Sequence, residues 1–232
     1  MSTLSETLKS EWKHMKTLTQ SLLLAILSLA IVQTAYTQTN DWTQDRKIGV
    51  VFGLTQPLVL NGFNIEGVYI HNRFIVAYSH GVSLDFDGDL LPQYLKDQDV
   101  VVHMPFTTGF GVGYRFTEWL NLRVEPKWHR FEFYYEGDTQ TKDNRIAADA
   151  HNFSLGLGAY GFFQPFSNRS DFMNGITIAP SVRYWPNVAS SFNGDVLQYE
   201  SLRTGDTEEL KVLESGIGFS PWIVNASIGY TF

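Results

Sequence analysis

The sequence predicts an all-β protein: an eight-stranded antiparallel up-and-down transmembrane β-barrel with an N-terminal signal peptide. Three observations carry this prediction. Eight segments alternate between apolar and small or polar residues, an apolar run lies near the amino terminus, and the last segment ends on an aromatic residue. Beyond the amino-terminal run, no stretch approaches the roughly 18 apolar residues of a spanning helix. Only a barrel then remains as a fold that spans a bilayer.

The amino-terminal segment has the order of a secretory signal. Basic residues precede an apolar run at 21–32, and the segment Thr34-Ala35-Tyr36-Thr37, with the small residue Ala35, follows it. The apolar run is too short to span a bilayer comfortably, although an uncleaved anchor is the alternative. We therefore assign 1–37 to a signal peptide, with Met15 as an alternative start, and 38–46 to a periplasmic lead-in.

The net charge restricts the kinds of partner that the protein can bind, and the cysteine content is consistent with one cellular compartment. The 232 residues contain 24 Asp and Glu against 17 Lys and Arg, for a net charge of −7, so we expect no nucleic-acid partner. The chain has no cysteine, which fits export through an oxidising periplasm.

Residues 47–232 are predicted to form the barrel domain, because eight of its segments have a period of two. The predicted strands are 47–55, 62–70, 74–85, 102–116, 120–135, 151–164, 176–185 and 222–232. Pro105, Pro126 and Pro180 fall inside strands, where each removes a ladder donor, so we expect bulges or strand ends there. A water-soluble barrel with its faces reversed is the alternative, but it would leave many glycines on the outside.

The connections differ in length at the two ends of the barrel. One end has the links 56–61, 86–101, 136–150 and 186–218, and the other has 71–73, 117–119 and 165–175. Outer-membrane barrels have long external loops and short periplasmic turns. The predicted aromatic girdles are Tyr69, Phe74, Phe116, Trp119, Tyr230 and Phe232 on the inner side, and Trp128, Tyr184 and Trp222 on the outer side.

The last strand alternates strictly. One face carries the apolar residues Trp222, Val224, Ala226, Ile228, Tyr230 and Phe232. This strand resembles the closing strand of outer-membrane β-barrels, in which the terminal Phe and its alternating neighbours are the signal for insertion. Together, the signal, eight strands and terminal Phe resemble the small OmpA/OmpX-type barrels, and no subfamily is identified.

That resemblance implies a location and a set of partners. The location is the outer membrane of a Gram-negative bacterium, reached by export through the periplasm. The implied partners are outer-membrane lipid and lipopolysaccharide, the barrel insertion machinery and periplasmic chaperones. We expect a monomer without a cofactor, and the sequence does not specify the extracellular partner.

Charged residues fall on the inward face of the predicted strands. They are Glu66, Arg115, Arg123, Glu125, Lys127, His129 and Arg183. An eight-stranded barrel has a lumen only wide enough for side chains, so these charges are expected to pair with each other or with trapped water. We interpret them as a network that stiffens the wall, with a gated ion path as the alternative.

Two weaker sites are also considered. His80, Ser83 and Asp85 are the nearest approach to a lipid-modifying catalytic set, although His80 falls on the outward face and Ser83 on the inward face. A bulge at Gly81 would be needed to bring them together. Asp85, Asp87 and Asp89 alternate as calcium ligands do, but Leu90 stands where the calcium loop needs glycine, so a solvated acidic loop is favoured over a metal site.

The function predicted from the sequence is a structural or surface-interaction role, carried by mobile external loops on a rigid barrel. An outer-leaflet acyl hydrolase or transferase is the alternative, and a small, porin-like pore is the third hypothesis. The fold alone does not choose among them.

Overall fold

The computed structural model describes residues 42–146, 150–192, 196–211 and 220–232. Eight strands form a closed antiparallel barrel, which confirms the predicted fold class, and three short strands lie in one connection. The strands are β1 (Arg46–Gly53), β2 (Phe63–His71), β3 (Phe74–Phe86), β4 (Val100–Arg115), β5 (Leu120–Tyr135), β6 (Ala150–Gly161), β7 (Ile176–Tyr184), β8 (Asn187–Ser190), β9 (Val196–Glu200), β10 (Thr207–Lys211) and β11 (Trp222–Thr231). The predicted signal peptide lies outside the described residues.

The barrel closes through its last strand. Strands β1 to β7 pair with their neighbours in chain order, and β11 pairs with both β7 and β1. Closure removes the edges that a flat sheet would expose. No helix among the described residues has the length and apolar character needed to cross a membrane.

The outer surface of the barrel is apolar. On β1, Ile48 and Val50 are 57% and 42% exposed, whereas Val51 is 3% exposed, because successive side chains of a strand point to opposite faces. We call the outward side chains of the eight barrel strands the apolar belt. Its members are Ile48, Val50, Phe52, Phe63, Ile65, Tyr69, Phe74, Val76, Tyr78, Phe110, Val112, Tyr114, Leu122, Val124, Trp128, Leu155, Leu157, Val182, Tyr184, Trp222, Val224 and Ile228.

Aromatic contacts occur near both rims of the belt. Near one rim, the Tyr114 ring lies 5.7 Å from that of Phe74 and 5.3 Å from that of Phe116. Near the other, the Tyr184 and Trp222 rings lie 5.0 Å apart. Phe74 and Phe116 belong to the predicted inner group and Tyr184 and Trp222 to the outer group, whereas Tyr114 belongs to neither.

The two ends of the barrel differ as the link lengths predict. At the turn end, Asn72 joins β2 to β3 with φ of 58°, a left-handed conformation that asparagine tolerates. The loop end holds the helices Thr55–Val59 and Gln93–Asp97 and the β9–β10 hairpin.

The three strand prolines each coincide with an interruption of the ladder. Pro105 lies where the β4–β5 register shifts, and the β6–β7 ladder stops just before Pro180. Pro126 pairs with Leu155 on β6, but the pairing toward β4 is interrupted beside it. The missing N–H of proline explains each interruption.

The loop end has an apolar core of its own, which we call the cap cluster. Leu95 from the helix Gln93–Asp97 and Leu210 from β10 are both fully buried in it. The sequence predicts these connections only as loops, and their packing against one another is seen only in the structure. The buried members are Leu60, Leu84, Phe86, Leu91, Leu95, Val100, Val102, Met104, Phe131, Phe133, Tyr135, Ala150 and Leu210.

Polar contacts hold the β9–β10 hairpin over the other connections. The Tyr199 hydroxyl donates to Gln98 Oε1 at 3.1 Å, and within the hairpin it also lies 2.7 Å from Glu208 Oε2. Burial raises the pKa of this hydroxyl, and the hydrogen bond to Glu208 raises it further. Arg203 Nη1 donates to Asp99 Oδ2 at 3.2 Å. The hairpin is therefore docked by both apolar and polar contacts.

Candidate functional site: the polar lumen

The centre of the lumen is built mainly by one strand. Arg123, Glu125, Lys127 and His129 occupy alternate positions of β5, so all four side chains point to the same face. Each is no more than 2% exposed. Together they form a column of ionisable groups along the barrel interior.

Arg123 pairs with a carboxylate on the opposite wall. Its Nη1 donates to Glu66 Oε1 at 2.6 Å, and its Nε donates to Asn121 Oδ1 at 2.7 Å. The guanidinium also lies 4.0 Å from the centre of the Tyr160 ring. The Arg123–Glu66 pair spans β5 and β2, which are not neighbours in the sheet, so it links two sides of the barrel.

Glu125 is held by two neutral donors. Its Oε2 accepts hydrogen bonds from Tyr160 OH at 2.5 Å and from Trp185 Nε1 at 3.1 Å. The Trp185 indole fills the space over Gly156, where a Cβ would overlap the ring. Glycine at this position is therefore needed to admit the indole donor.

Lys127 and His129 bind hydroxyl groups. Lys127 Nζ donates to Ser79 Oγ at 2.5 Å and lies 4.1 Å from the centre of the Trp185 ring. His129 Nδ1 lies 2.9 Å from Thr107 Oγ1, and its Nε2 lies 2.7 Å from Ser154 Oγ. Because a hydroxyl can donate or accept, either tautomer of the imidazole is satisfied.

The His129–Ser154 contact has the spacing of a nucleophile and its base. Ser154 is completely buried, however, and His129 is 2% exposed, so neither is open to a substrate. The other ring nitrogen contacts Thr107 rather than an orienting carboxylate. This geometry supports packing rather than catalysis.

Arg115 closes the turn end instead of joining the central column. Its guanidinium donates to Asp45 Oδ2 at 3.2 Å and to the backbone oxygens of Trp42, Asn72 and Glu118 at 3.2, 3.1 and 2.9 Å. The Trp42 ring lies 5.1 Å from Arg115. Arg115 thus ties the chain before β1 to two turns.

The structure buries all seven charged residues that the sequence places in the lumen, but it divides them. Arg123 and Glu66 form an ion pair, Glu125, Lys127, His129 and Arg183 lie farther along the interior, and Arg115 lies at the mouth. Tyr160, Trp185 and Asp45 also contact these charges, although the sequence pattern does not predict those contacts. The inward parity of Tyr160 was a usable signal, whereas the placement of Trp185 depends on the space above Gly156.

The alternative catalytic set is not assembled. His80 remains on the outward face, Ser83 is exposed at a φ of 57°, and Asp85 Oδ1 lies 2.6 Å from His103 Nδ1. No hydrogen bond among the described residues joins His80, Ser83 and Asp85. The positive φ occurs at Ser83 rather than at Gly81, so the bulge considered from the sequence does not form there.

The three aspartates considered as metal ligands do not converge. Asp85 binds His103, Asp87 is exposed, and Asp89 pairs with Lys96 at 3.5 Å. Across the part of the chain that the structure describes, no group of three His, Asp or Glu residues is placed to hold a metal ion.

The terminal strand lies between β1 and β7. Trp222, Val224, Ile228 and Phe232 are 59%, 49%, 46% and 76% exposed, whereas Ala226 and Tyr230 are partly covered. Its apolar face is therefore part of the barrel exterior, and its use as an insertion signal stays a prediction.

Comparison with known proteins finds similar barrels. No family model and no curated protein match the sequence. Ail of Yersinia pestis, in complex with sucrose octasulfate, is 12% identical over 82% of this chain and 100% of that chain, with a TM-score of 0.39. The N-terminal barrel domain of Pseudomonas aeruginosa OprF is 13% identical over 82% and 98%, with a TM-score of 0.37. A major outer membrane protein from Thermus thermophilus is 10% identical over 81% and 99%, with a TM-score of 0.40. The chain has a small eight-stranded barrel. These distant likenesses do not bear on its function.

Proposed function

We propose that the protein is an integral outer-membrane barrel that supports a folded surface cap, with the loop end outside and the turn end in the periplasm. The cap comprises the described loop-end connections, 54–62, 87–99, 136–146, 185–192 and 196–211. The apolar belt carries this proposal. Soluble monomers rarely expose a contiguous apolar surface of this kind, whereas a bilayer removes it from water. Strands can cross a bilayer only in a closed barrel, because closure pairs every backbone N–H and C=O group within lipid.

The cap is proposed to interact with positively charged surface partners. Its exposed carboxylates outnumber its exposed cations, which are Lys142, Arg203 and Lys211. A surface with one dominant sign of charge attracts partners of the opposite sign. The exposed acids are Asp87, Asp89, Asp97, Asp99, Glu136, Asp138, Asp143, Glu200, Asp206 and Glu209.

The other two hypotheses have less support from the geometry. Ion pairs at the turn end and across the lumen, together with the cap cluster at the loop end, obstruct the barrel interior, which opposes a pore. The residues considered for lipid modification are not joined, which opposes an enzyme centred on His80. Mass spectrometry of lipid A and phospholipids from cells with the protein, without it, or with His80→Ala tests the enzyme directly.

Cysteine labelling tests the proposed location and orientation. Because the chain has no cysteine, a single introduced thiol reports one position. Thr204→Cys places it in the exposed turn of the β9–β10 hairpin, and Ser170→Cys places it at the exposed turn end. A membrane-impermeant maleimide applied to intact cells should label the first variant only.

Ser170→Cys should be labelled once the outer membrane is permeabilised, and the cysteine-free parent should remain unlabelled throughout. The opposite pattern would overturn the orientation. Labelling of both variants only after cell lysis would overturn the outer-membrane location.

A further inference from the structure

The barrel contains a cavity of about 30 Å³ between the polar lumen and the cap cluster. This volume has room for about two water molecules. None of the residues that line it is an aspartate or glutamate. The lining consists of Thr55, Gln56, Leu60, Asn64, Leu84, Met104, Thr107, Lys127, His129, Arg183, Trp185 and Ile223.

Two cations reach this cavity, and their hydrogen-bonding and ring partners are neutral. Lys127 and Arg183 are 2% and 3% exposed. Lys127 binds the Ser79 hydroxyl and lies over the Trp185 ring, and the Arg183 guanidinium lies 4.6 Å from the centre of the same ring. Arg183 Nε has no hydrogen-bond acceptor among the described residues.

The two nearby carboxylates, Glu66 and Glu125, already have other hydrogen-bond partners. Glu66 pairs with Arg123, and Glu125 accepts from Tyr160 and Trp185. Glu125 is close enough for its charge to act on Lys127 and Arg183. No carboxylate oxygen of a described residue, however, lies within ion-pair distance of either cation. With these groups ionised, Arg123, Lys127 and Arg183 exceed Glu66 and Glu125 by one positive charge.

We infer that the cavity binds a small inorganic anion of the chloride class between Lys127 and Arg183. One such anion balances the excess charge and can accept a hydrogen bond from Arg183 Nε, which has no acceptor among the described residues. A buried ion without a compensating charge is costly, which gives the anion its driving force. The volume admits a halide and excludes a bulky organic anion such as gluconate.

Stability in two salts tests the site. The purified full chain is folded in detergent micelles separately in sodium chloride and sodium gluconate at equal ionic strength, so that the anion can enter during folding. We expect a higher urea midpoint in chloride. Lys127→Met should abolish that difference. Lys96→Met removes the same group from a partly exposed position that pairs with Asp89 outside the barrel lumen, and it should retain the difference.

Anomalous X-ray diffraction from bromide locates the ion in the wild-type protein. This measurement tests the site even if Lys127→Met fails to fold. Crystals of the wild-type protein grown in bromide should show an anomalous peak between Lys127 and Arg183. Equal wild-type midpoints in the two salts, or a cavity holding water alone, would overturn the inference. A chloride effect that persists in Lys127→Met, or bromide found only outside the cavity, would also reject this site.

Discussion

At the residue scale, the lumen depends on how buried charges find partners. The charge of Glu125 acts on Arg123, Lys127 and Arg183, and Tyr160 and Trp185 hold its carboxylate in place. Gly156 makes that arrangement possible because any side chain there would meet the indole. Strand β5 thus supplies Glu125, but Tyr160 on β6 and Trp185 after β7 fix the position of its carboxylate.

Replacement of Glu125 tests this dependence. Glu125→Ala removes a buried anion and leaves the cations around it uncompensated, so we expect a loss of about 3 kcal/mol in the free energy of unfolding. Trp128→Phe keeps an aromatic ring on the apolar belt, and we expect a loss below about 1 kcal/mol. Urea unfolding of the folded protein in micelles measures both, and equal midpoints would contradict the assignment of the two faces.

At the element scale, the β9–β10 hairpin is the connection that the cap cluster anchors. Leu210 on β10 is completely buried, while Leu202 at the hairpin turn is 91% exposed. The hairpin forms its own two-stranded sheet and has no ladder with the barrel. Its attachment therefore depends on side-chain contacts, apolar at Leu210 and polar at Tyr199 and Arg203, and it can loosen while the barrel remains closed.

Proteolysis distinguishes these two leucines. Leu210→Ala removes a buried side chain, a change that costs about 2–5 kcal/mol in protein cores. We expect faster trypsin cleavage at Arg203 or Lys211, with barrel strands still protected. Leu202→Ala is the matched control and should be cleaved at the wild-type rate. Identical rates for the two variants would show that the hairpin is not held by Leu210.

At the scale of the whole molecule, side chains fill both ends of the barrel interior. Arg115, Asp45 and Trp42 fill the turn end, and the cap cluster fills the loop end. Between them the Arg123–Glu66 pair crosses the lumen. An eight-stranded barrel has little interior beyond what such side chains fill. We therefore expect the barrel to be a rigid support for the cap.

Planar-bilayer recordings test this closure. We expect no stepwise conductance from the wild-type protein, because the lumen of an eight-stranded barrel is only wide enough for side chains to fill. Leu210→Ala, which loosens only the cap, should also be silent, since the lumen pairs remain. Reproducible ohmic steps from the wild type would instead support the pore hypothesis.

The sequence could predict the strands because the information they need is local. Alternation with a period of two marks β5 and β11 directly, and every predicted barrel strand lies within three residues of its observed bounds. The same parity places Glu125 and Lys127 inside. Parity does not identify hydrogen-bond partners, however, so Tyr160 and Trp185 received no role before the structure.

By itself, the sequence determined the closed eight-stranded barrel, its apolar exterior and its charged interior, because each follows from side-chain alternation along one strand. Only the tertiary structure decided that Asp85 binds His103 rather than joining His80, that Arg115 closes the turn end, and that the long connections share the cap cluster. These contacts join residues distant in sequence. They depend on register, on bulges and on the space left by small residues, none of which a local pattern specifies.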